Sequence, residues 1–144
     1  MSVNVSIGIK KGVYCILLMN NGKLVSKTIN KFKDAETANS TYLSTIEAFS
    51  NVFRLVRNYL NNDNSCKEFV FETSNSIFIK WIDNQYSKKM YQDKFVEVLN
   101  MLNELPIRYR LVYNQKPLAV NYIKDYKDEG IKLSGLDIDS IEEA

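Results

Sequence analysis

The chain has 144 residues, of which 45% are hydrophobic and 25% charged, and its formal net charge is +2. This length suffices for one domain with a sizeable buried core. Histidine is absent and there are only two cysteines. That composition excludes Ser-His and Cys-His nucleophile pairs, histidine-containing zinc sites and all-cysteine tetrahedral sites.

The chain also lacks the features of an exported or membrane protein. The longest apolar run, Val13–Met19, is far shorter than the roughly 20 residues that span a bilayer. Met1–Asn4 contains neither the basic nor the apolar part of an export signal, so we expect a cytoplasmic location and no membrane partner. Cys15 lies inside the apolar run and is predicted to be a small buried side chain.

Three strands are predicted at the N-terminus. Apolar residues alternate with polar or small ones from Val3 to Ile9, which is typical of a strand with one buried face. Val13–Met19 is predicted to be a second, more buried strand. The Asn21-Gly22 pair is a strong signal for a hairpin turn, and Leu24–Asn30 follows as a third strand. The sequence therefore predicts an antiparallel three-strand meander.

Helices and strands are predicted to alternate in the rest of the chain. Apolar residues at helical spacing predict a long helix ending at Leu60 and beginning near Ser40. The remaining predicted elements are a strand at Lys67–Glu72, a helix at Lys88–Leu105, a strand at Ile107–Tyr113 and a helix at about Leu118–Lys127. Ile77–Asp83 fits two structures, a strand paired with the preceding one or a short helix capped by Ser74 or Ser76.

The charge distribution suggests two parts of the chain. One Lys against four acids leaves residues 131–144 at −3, and the total of +2 then leaves +5 on residues 1–130. We expect residues 1–130 to form one globular domain and residues 131–144 to form a flexible acidic tail. A basic body fits contact with a polyanion, and the acidic tail fits recruitment of a protein partner.

The predicted order gives an α+β fold with a mixed sheet and flanking helices, which resembles the ribonuclease H-like superfamily. Ser6-Ile7-Gly8 lies where that family has a Thr-Asp-Gly step. Glu72-Thr73-Ser74 lies near its Thr-Asp-Ser, and Asn121 with Asp125 reproduces the Asn-x-x-x-Asp spacing of its last helix. The resemblance implies two-metal cleavage of phosphodiesters, which requires clustered carboxylates.

This sequence departs from that pattern at the positions of the carboxylates. Ile7 takes the place of the first aspartate, and no residue of Tyr42–Ser44 is acidic where the family has a helix glutamate. Glu47 comes about one turn too late. We therefore expect a domain that has lost cleavage, with no catalytic residue, metal or cofactor.

An OB-fold barrel with added helices is the alternative fold. It requires Ile77–Asp83 to be a strand, and Gly8 would then allow the bend that the first strand of a barrel needs. The basic aromatic body and acidic tail are also similar in organisation to single-stranded DNA-binding proteins.

The leading functional hypothesis is a non-catalytic nucleic-acid-binding protein that binds single-stranded DNA with little sequence specificity. Aromatic rings stack on bases and basic groups contact phosphates in such proteins. The candidate binding residues combine both kinds of side chain: Lys10, Lys11, Lys67, Phe78, Lys80, Trp81, Arg108, Tyr109, Arg110 and Tyr113. Burial of the rings in the core is the competing interpretation of the aromatic members.

Two other functions fit the sequence. One is a metal-dependent nuclease of ribonuclease H type that uses displaced carboxylates such as Glu72 and Asp125. The other is a protein-interaction or inhibitor module of a phage or mobile element, with residues 131–144 as its contact. A homo-oligomer is compatible with each of these functions.

Overall fold

Five strands form one open, mixed sheet in the computed structural model, which describes residues 2–10, 12–62 and 68–123. The strand order is β3-β2-β1-β4-β5. β1, β2 and β3 are antiparallel neighbours, whereas β4 runs parallel to β1 and β5 runs parallel to β4. The strands are β1 Ser2–Lys10, β2 Val13–Asn20, β3 Lys23–Lys31, β4 Glu68–Thr73 and β5 Arg108–Tyr113. The predicted α+β class and the N-terminal meander are confirmed.

The turn between β2 and β3 consists of the two residues that predicted it. Asn21 and Gly22 have φ of 54° and 77°, values that asparagine and glycine adopt more readily than other residues. Two left-handed residues match the twist of the flanking strands, so the turn joins β2 to β3 directly.

The helices are α1 Ala35–Asn39, α2 Thr41–Asn62, α3 Ser76–Asn84 and α4 Gln92–Glu104, and α4 is preceded by a 3-10 turn at Lys89–Tyr91. A fifth helix, α5, begins at residue 118 and is described as far as residue 123. The sequence did not predict α1. Asp34 caps it by accepting a hydrogen bond from the Thr37 N–H at 2.8 Å, and this bond lowers the pKa of Asp34.

The segment that fitted two structures is helix α3. The Asn75 side chain caps it by accepting a 3.0 Å hydrogen bond from the Phe78 N–H, and Gln85 ends it in the left-handed conformation. The cap is thus Asn75 rather than Ser74 or Ser76. Because this segment is not a strand and the sheet is open, the OB-fold alternative is wrong.

The two faces of the sheet bury different cores. The front face carries Ile7 and Phe71 and packs against the helices, where Phe49 stacks on Phe78 with ring centroids 4.5 Å apart. The rear face carries Cys15 and Leu17, which pack against the first residues of α5. Burial raises the pKa of the Cys15 thiol to about 12, so Cys15 is a neutral buried side chain, as predicted.

None of the helices in the described ranges is apolar over a length that would cross a membrane. The predicted acidic tail, residues 131–144, lies outside the described residues. The division into a globular domain and a tail therefore stays a prediction.

Candidate functional site

A groove of about 620 Å³ lies on the front side of the sheet, at the carboxyl ends of β1 and β4 and at the first residues of α2 and α3. In open sheets with parallel strands, ligands bind just beyond the carboxyl ends of the strands. We call this feature the front groove. It is lined by Ile7, Ile9, Lys10, Gly12, Ala35, Ala38, Asn39, Thr41, Ser44, Thr45, Thr73, Ser74, Asn75, Ser76 and Ile77.

A hydrogen-bond network fixes the walls of the front groove. The Asn75 amide donates from Nδ2 to Thr45 Oγ1 at 3.0 Å, and Thr45 Oγ1 donates to the Thr41 carbonyl at 2.7 Å. The Asn75 N–H donates to Thr73 Oγ1 at 3.2 Å. This network connects α2, β4 and α3, and both threonine hydroxyls in it belong to buried residues, Thr45 and Thr73. A buried network whose members are satisfied holds its elements in one arrangement.

Other polar side chains of the front groove remain available to a ligand. Thr41, Ser74 and Ser76 are exposed, and no side-chain hydrogen bond within the described ranges engages them. Lys10, also exposed, is the one charged residue among the described residues that line the groove. The groove therefore presents hydroxyl donors and one positive charge on a fixed framework.

Glu72 lies on the opposite, rear face of the sheet. Its Oε1 accepts hydrogen bonds from Ser6 Oγ at 2.8 Å and from the Leu118 N–H at 3.1 Å, while its Oε2 accepts one from Asn114 Nδ2 at 2.8 Å. The Ala119 N–H donates in turn to Ser6 Oγ at 3.0 Å. Glu72 therefore anchors the first turn of α5 to β1 and β4.

Replacing Glu72 with glutamine is expected to lower the free energy of unfolding by about 2 kcal/mol, because the amide loses the charge and presents an NH₂ group to hydrogen-bond donors. Urea denaturation measures the change. Glu97→Gln, an exposed carboxylate on α4, is the control. In a double-mutant cycle with Ser6→Ala, the two losses should not add. Strict additivity would contradict a shared network.

The candidate carboxylates do not converge on one place. Glu47 lines a separate groove of about 210 Å³ between α2 and α4, Glu72 is engaged on the rear face, and Asp125 lies outside the described residues. At the front groove, Ile7 and Thr73 stand near the positions where the resemblance implies aspartates. The described residues contain no group of three potential metal ligands. They therefore do not fit the donor set of a two-cation site.

The stacking roles predicted for Phe78 and Trp81 are wrong. Phe78 is 0% exposed and Trp81 is 8% exposed, and both rings pack against Phe95. The helical spacing of α3 turns these two apolar side chains toward the core, where no base can reach them. Of the other candidates, Lys10 lines the front groove, whereas Lys11 and Lys67 lie outside the described residues.

The remaining candidates point in different directions. On β5, Arg110 pairs in register with Val70 and Tyr109 pairs with Phe69, whose ring belongs to the front core. Because side chains alternate along a strand, Arg108 and Arg110 lie on the rear face and Tyr109 and Tyr113 lie on the front face. All four are exposed, as is Lys80 on α3. The candidate residues therefore do not share one surface.

Sequence reasoning missed the polar residues of the front groove. In the run Thr73-Ser74-Asn75-Ser76, the sequence analysis assigns Ser74 and Ser76 a role only as candidate helix caps. Such a run directly after a strand that pairs in parallel marks the edge where ligands bind, and this is the signal that could have identified the site.

Solved structures of ribonucleases H resemble this chain. LC11-RNase H1 in complex with an RNA/DNA hybrid matches with a TM-score of 0.63 and 8% identity, over 80% of this chain and 85% of its own. RNase H1 from Halobacterium salinarum NRC-1 matches with a TM-score of 0.53 and 6% identity, over 80% and 85%. The N-terminal RNase H domain of a Mycobacterium tuberculosis protein gives 0.52 and 8%, over 79% and 88%. No family model and no curated protein matches the sequence.

These comparisons correct two predictions. The leading hypothesis of a non-catalytic protein that binds single-stranded DNA is wrong, because the similar structures are ribonucleases H. The same likeness overturns the expectation that the protein is not an enzyme, and it favours the nuclease alternative. At identities of 6% to 8%, the matches show that the fold is shared, and the activity of this chain is a matter for proposal. The described chain has a ribonuclease H-like fold.

Proposed function

We propose that this chain is a ribonuclease H-type domain that acts on nucleic acid, with an RNA/DNA hybrid as its ligand and the front groove as its binding site. The position of the groove carries the proposal, since it lies at the carboxyl ends of two parallel strands, β1 and β4. A protein of similar fold, LC11-RNase H1, was solved in complex with an RNA/DNA hybrid, which supports the choice of ligand.

The chemistry of the groove suits a strand that contains ribose. Proteins recognise duplexes of A-like geometry mainly through phosphates and 2′-hydroxyl groups. Thr41, Ser74 and Ser76 carry hydroxyls that both donate and accept hydrogen bonds, so they match a 2′-hydroxyl as well as a phosphate oxygen. Lys10 adds the positive charge that attracts the backbone.

Fluorescence anisotropy with a labelled RNA/DNA hybrid, matched single strands and duplex DNA tests the proposal. We expect the hybrid to bind about tenfold more tightly than single-stranded DNA and to weaken as salt rises. Lys10→Gln should reduce affinity for the hybrid, whereas Lys23→Gln should not, because Lys23 begins β3 and pairs with Asn20 at the other end of the sheet. Equal or tighter binding of single-stranded DNA would contradict the proposed ligand.

Metal-dependent hydrolysis of the hybrid is a second candidate function, favoured by the likeness to ribonuclease H enzymes. Because the described residues do not fit the donor set, a catalytic site would have to include residues outside the described ranges, such as Asp125. Incubation of the hybrid with Mg²⁺ or Mn²⁺ tests this function. Cleavage that needs the cation and disappears in Asp125→Asn would support it. An intact hybrid at saturating protein would exclude it.

A further inference from the structure

We propose that the front groove holds a backbone phosphate of the hybrid directly, through hydroxyl donors and Lys10, so that binding needs no divalent cation. This inference rests on the proposed function and concerns how the ligand is held. We infer direct contact because the described residues do not fit the donor set of a two-cation site. Three features of the groove support it.

The first feature is charge. A groove lined with carboxylates repels a phosphodiester, and a cation must then neutralise the repulsion before the strand can approach. No carboxylate lines the front groove among the described residues, and Lys10 makes its lining positive. A phosphate entering this groove therefore meets attraction without the help of a cation.

The second feature is the replacement of oxygen ligands by groups that bind cations poorly. Ile7, near the position where the resemblance implies an aspartate, is 1% exposed and apolar. Thr45 and Thr73 already make hydrogen bonds within the wall. Magnesium prefers carboxylate and phosphate oxygens and keeps water where these are lacking. The described residues of this wall therefore offer a cation no better ligands than water does.

The third feature is the fixed backbone that carries two hydroxyl donors, Ser74 and Ser76. Ser74 and Ser76 flank Asn75, whose side chain is fixed between Thr45 and the Phe78 N–H at 3.0 Å each. The backbone that presents the two serines is therefore held in place before a ligand arrives. Hydrogen bonds from hydroxyls to an anionic oxygen are shorter and stronger than neutral ones. Preorganised donors also reduce the entropy lost on binding.

The experiment measures the Kd of the labelled hybrid in two buffers of matched ionic strength, one with EDTA and one with about 5 mM Mg²⁺. We expect the two Kd values to agree within about twofold. The double variant Ser74→Ala/Ser76→Ala should weaken binding about tenfold in both buffers, since two hydrogen bonds to an anion are lost. The matched control is Asn100→Ala/Asn103→Ala, which removes two exposed polar groups from the end of α4. Circular dichroism of each variant reports on folding.

The outcomes separate this inference from the proposed function. Binding that appears only with Mg²⁺ would overturn the inference and leave the proposed function standing. Binding in EDTA that is insensitive to both the serine pair and Lys10→Gln would also overturn it, because the ligand would then lie elsewhere. Failure to bind the hybrid in either buffer would contradict the proposed function as well. Equal affinity in both buffers, together with the serine effect, supports direct contact.

Discussion

Phe78→Ala is expected to lower the free energy of unfolding by about 3–5 kcal/mol, the usual cost of removing a fully buried phenylalanine. Phe78 is 0% exposed, stacks on Phe49 at 4.5 Å and meets the ring of Phe95 edge-on at 6.0 Å. Truncation removes both aromatic contacts and leaves a cavity between α2, α3 and α4. Urea or thermal denaturation measures the loss.

Tyr113→Ala is the control for Phe78→Ala. Tyr113 is 57% exposed, so its truncation should change stability by no more than about 0.5 kcal/mol. The pair of variants also tests whether Phe78 belongs to the core or to a binding surface. If Phe78→Ala kept full stability and reduced only the affinity for nucleic acid, Phe78 would be a binding residue after all, and the core described here would be wrong.

Gly8→Ala is expected to cost about 1–3 kcal/mol by overpacking. A methyl group at residue 8 would lie 2.7 Å from the Val120 nitrogen and 2.9 Å from the Ala119 carbonyl carbon. Both are backbone atoms, so α5 has to move away from β1. We also expect faster amide hydrogen exchange at Ala119, whose N–H donates to Ser6 Oγ at 3.0 Å.

Asn4→Ala is the matched control for Gly8→Ala. Asn4 lies on the same strand and the same rear face, but it is exposed. Its replacement should leave both stability and exchange at Ala119 nearly unchanged. A Gly8→Ala protein as stable as the parent, with unchanged exchange at Ala119, would show that α5 does not pack on β1 as described.

The elements that the sequence predicted correctly depend on local signals. The Asn21-Gly22 pair determines its own backbone angles. The alternation of residues 3–9 correctly predicted a strand, but the expectation of one buried face was wrong, because Ser6 and Gly8 on the rear face are buried as well. The seven residues of Ile77–Asp83 fit a strand and a helix equally well, so the choice depended on a cap. Helix α1 has five residues and depends on Asp34, a signal too short to separate from a polar loop.

The site depends on contacts between residues that are distant in the chain. Ser6 and Glu72 are 66 positions apart, and Ser6 and Ala119 are 113 apart. The network of the front groove likewise joins Asn75 to Thr45, 30 positions earlier. Composition and spacing do not reveal such pairs. The sequence could therefore place Glu72 at the end of a strand, but it could not predict which face its carboxylate occupies.

Mapping the bound hybrid by ¹H–¹⁵N NMR in EDTA locates the nucleic acid on the protein without a divalent cation. We expect the largest shift changes at backbone amides of the front groove, at Lys10, Thr41 and residues 74–77, and little change on the rear face at Asn4 and Arg110. Shift changes confined to the rear face, with the front groove unaffected, would contradict the claim that the carboxyl ends of β1 and β4 hold the nucleic acid.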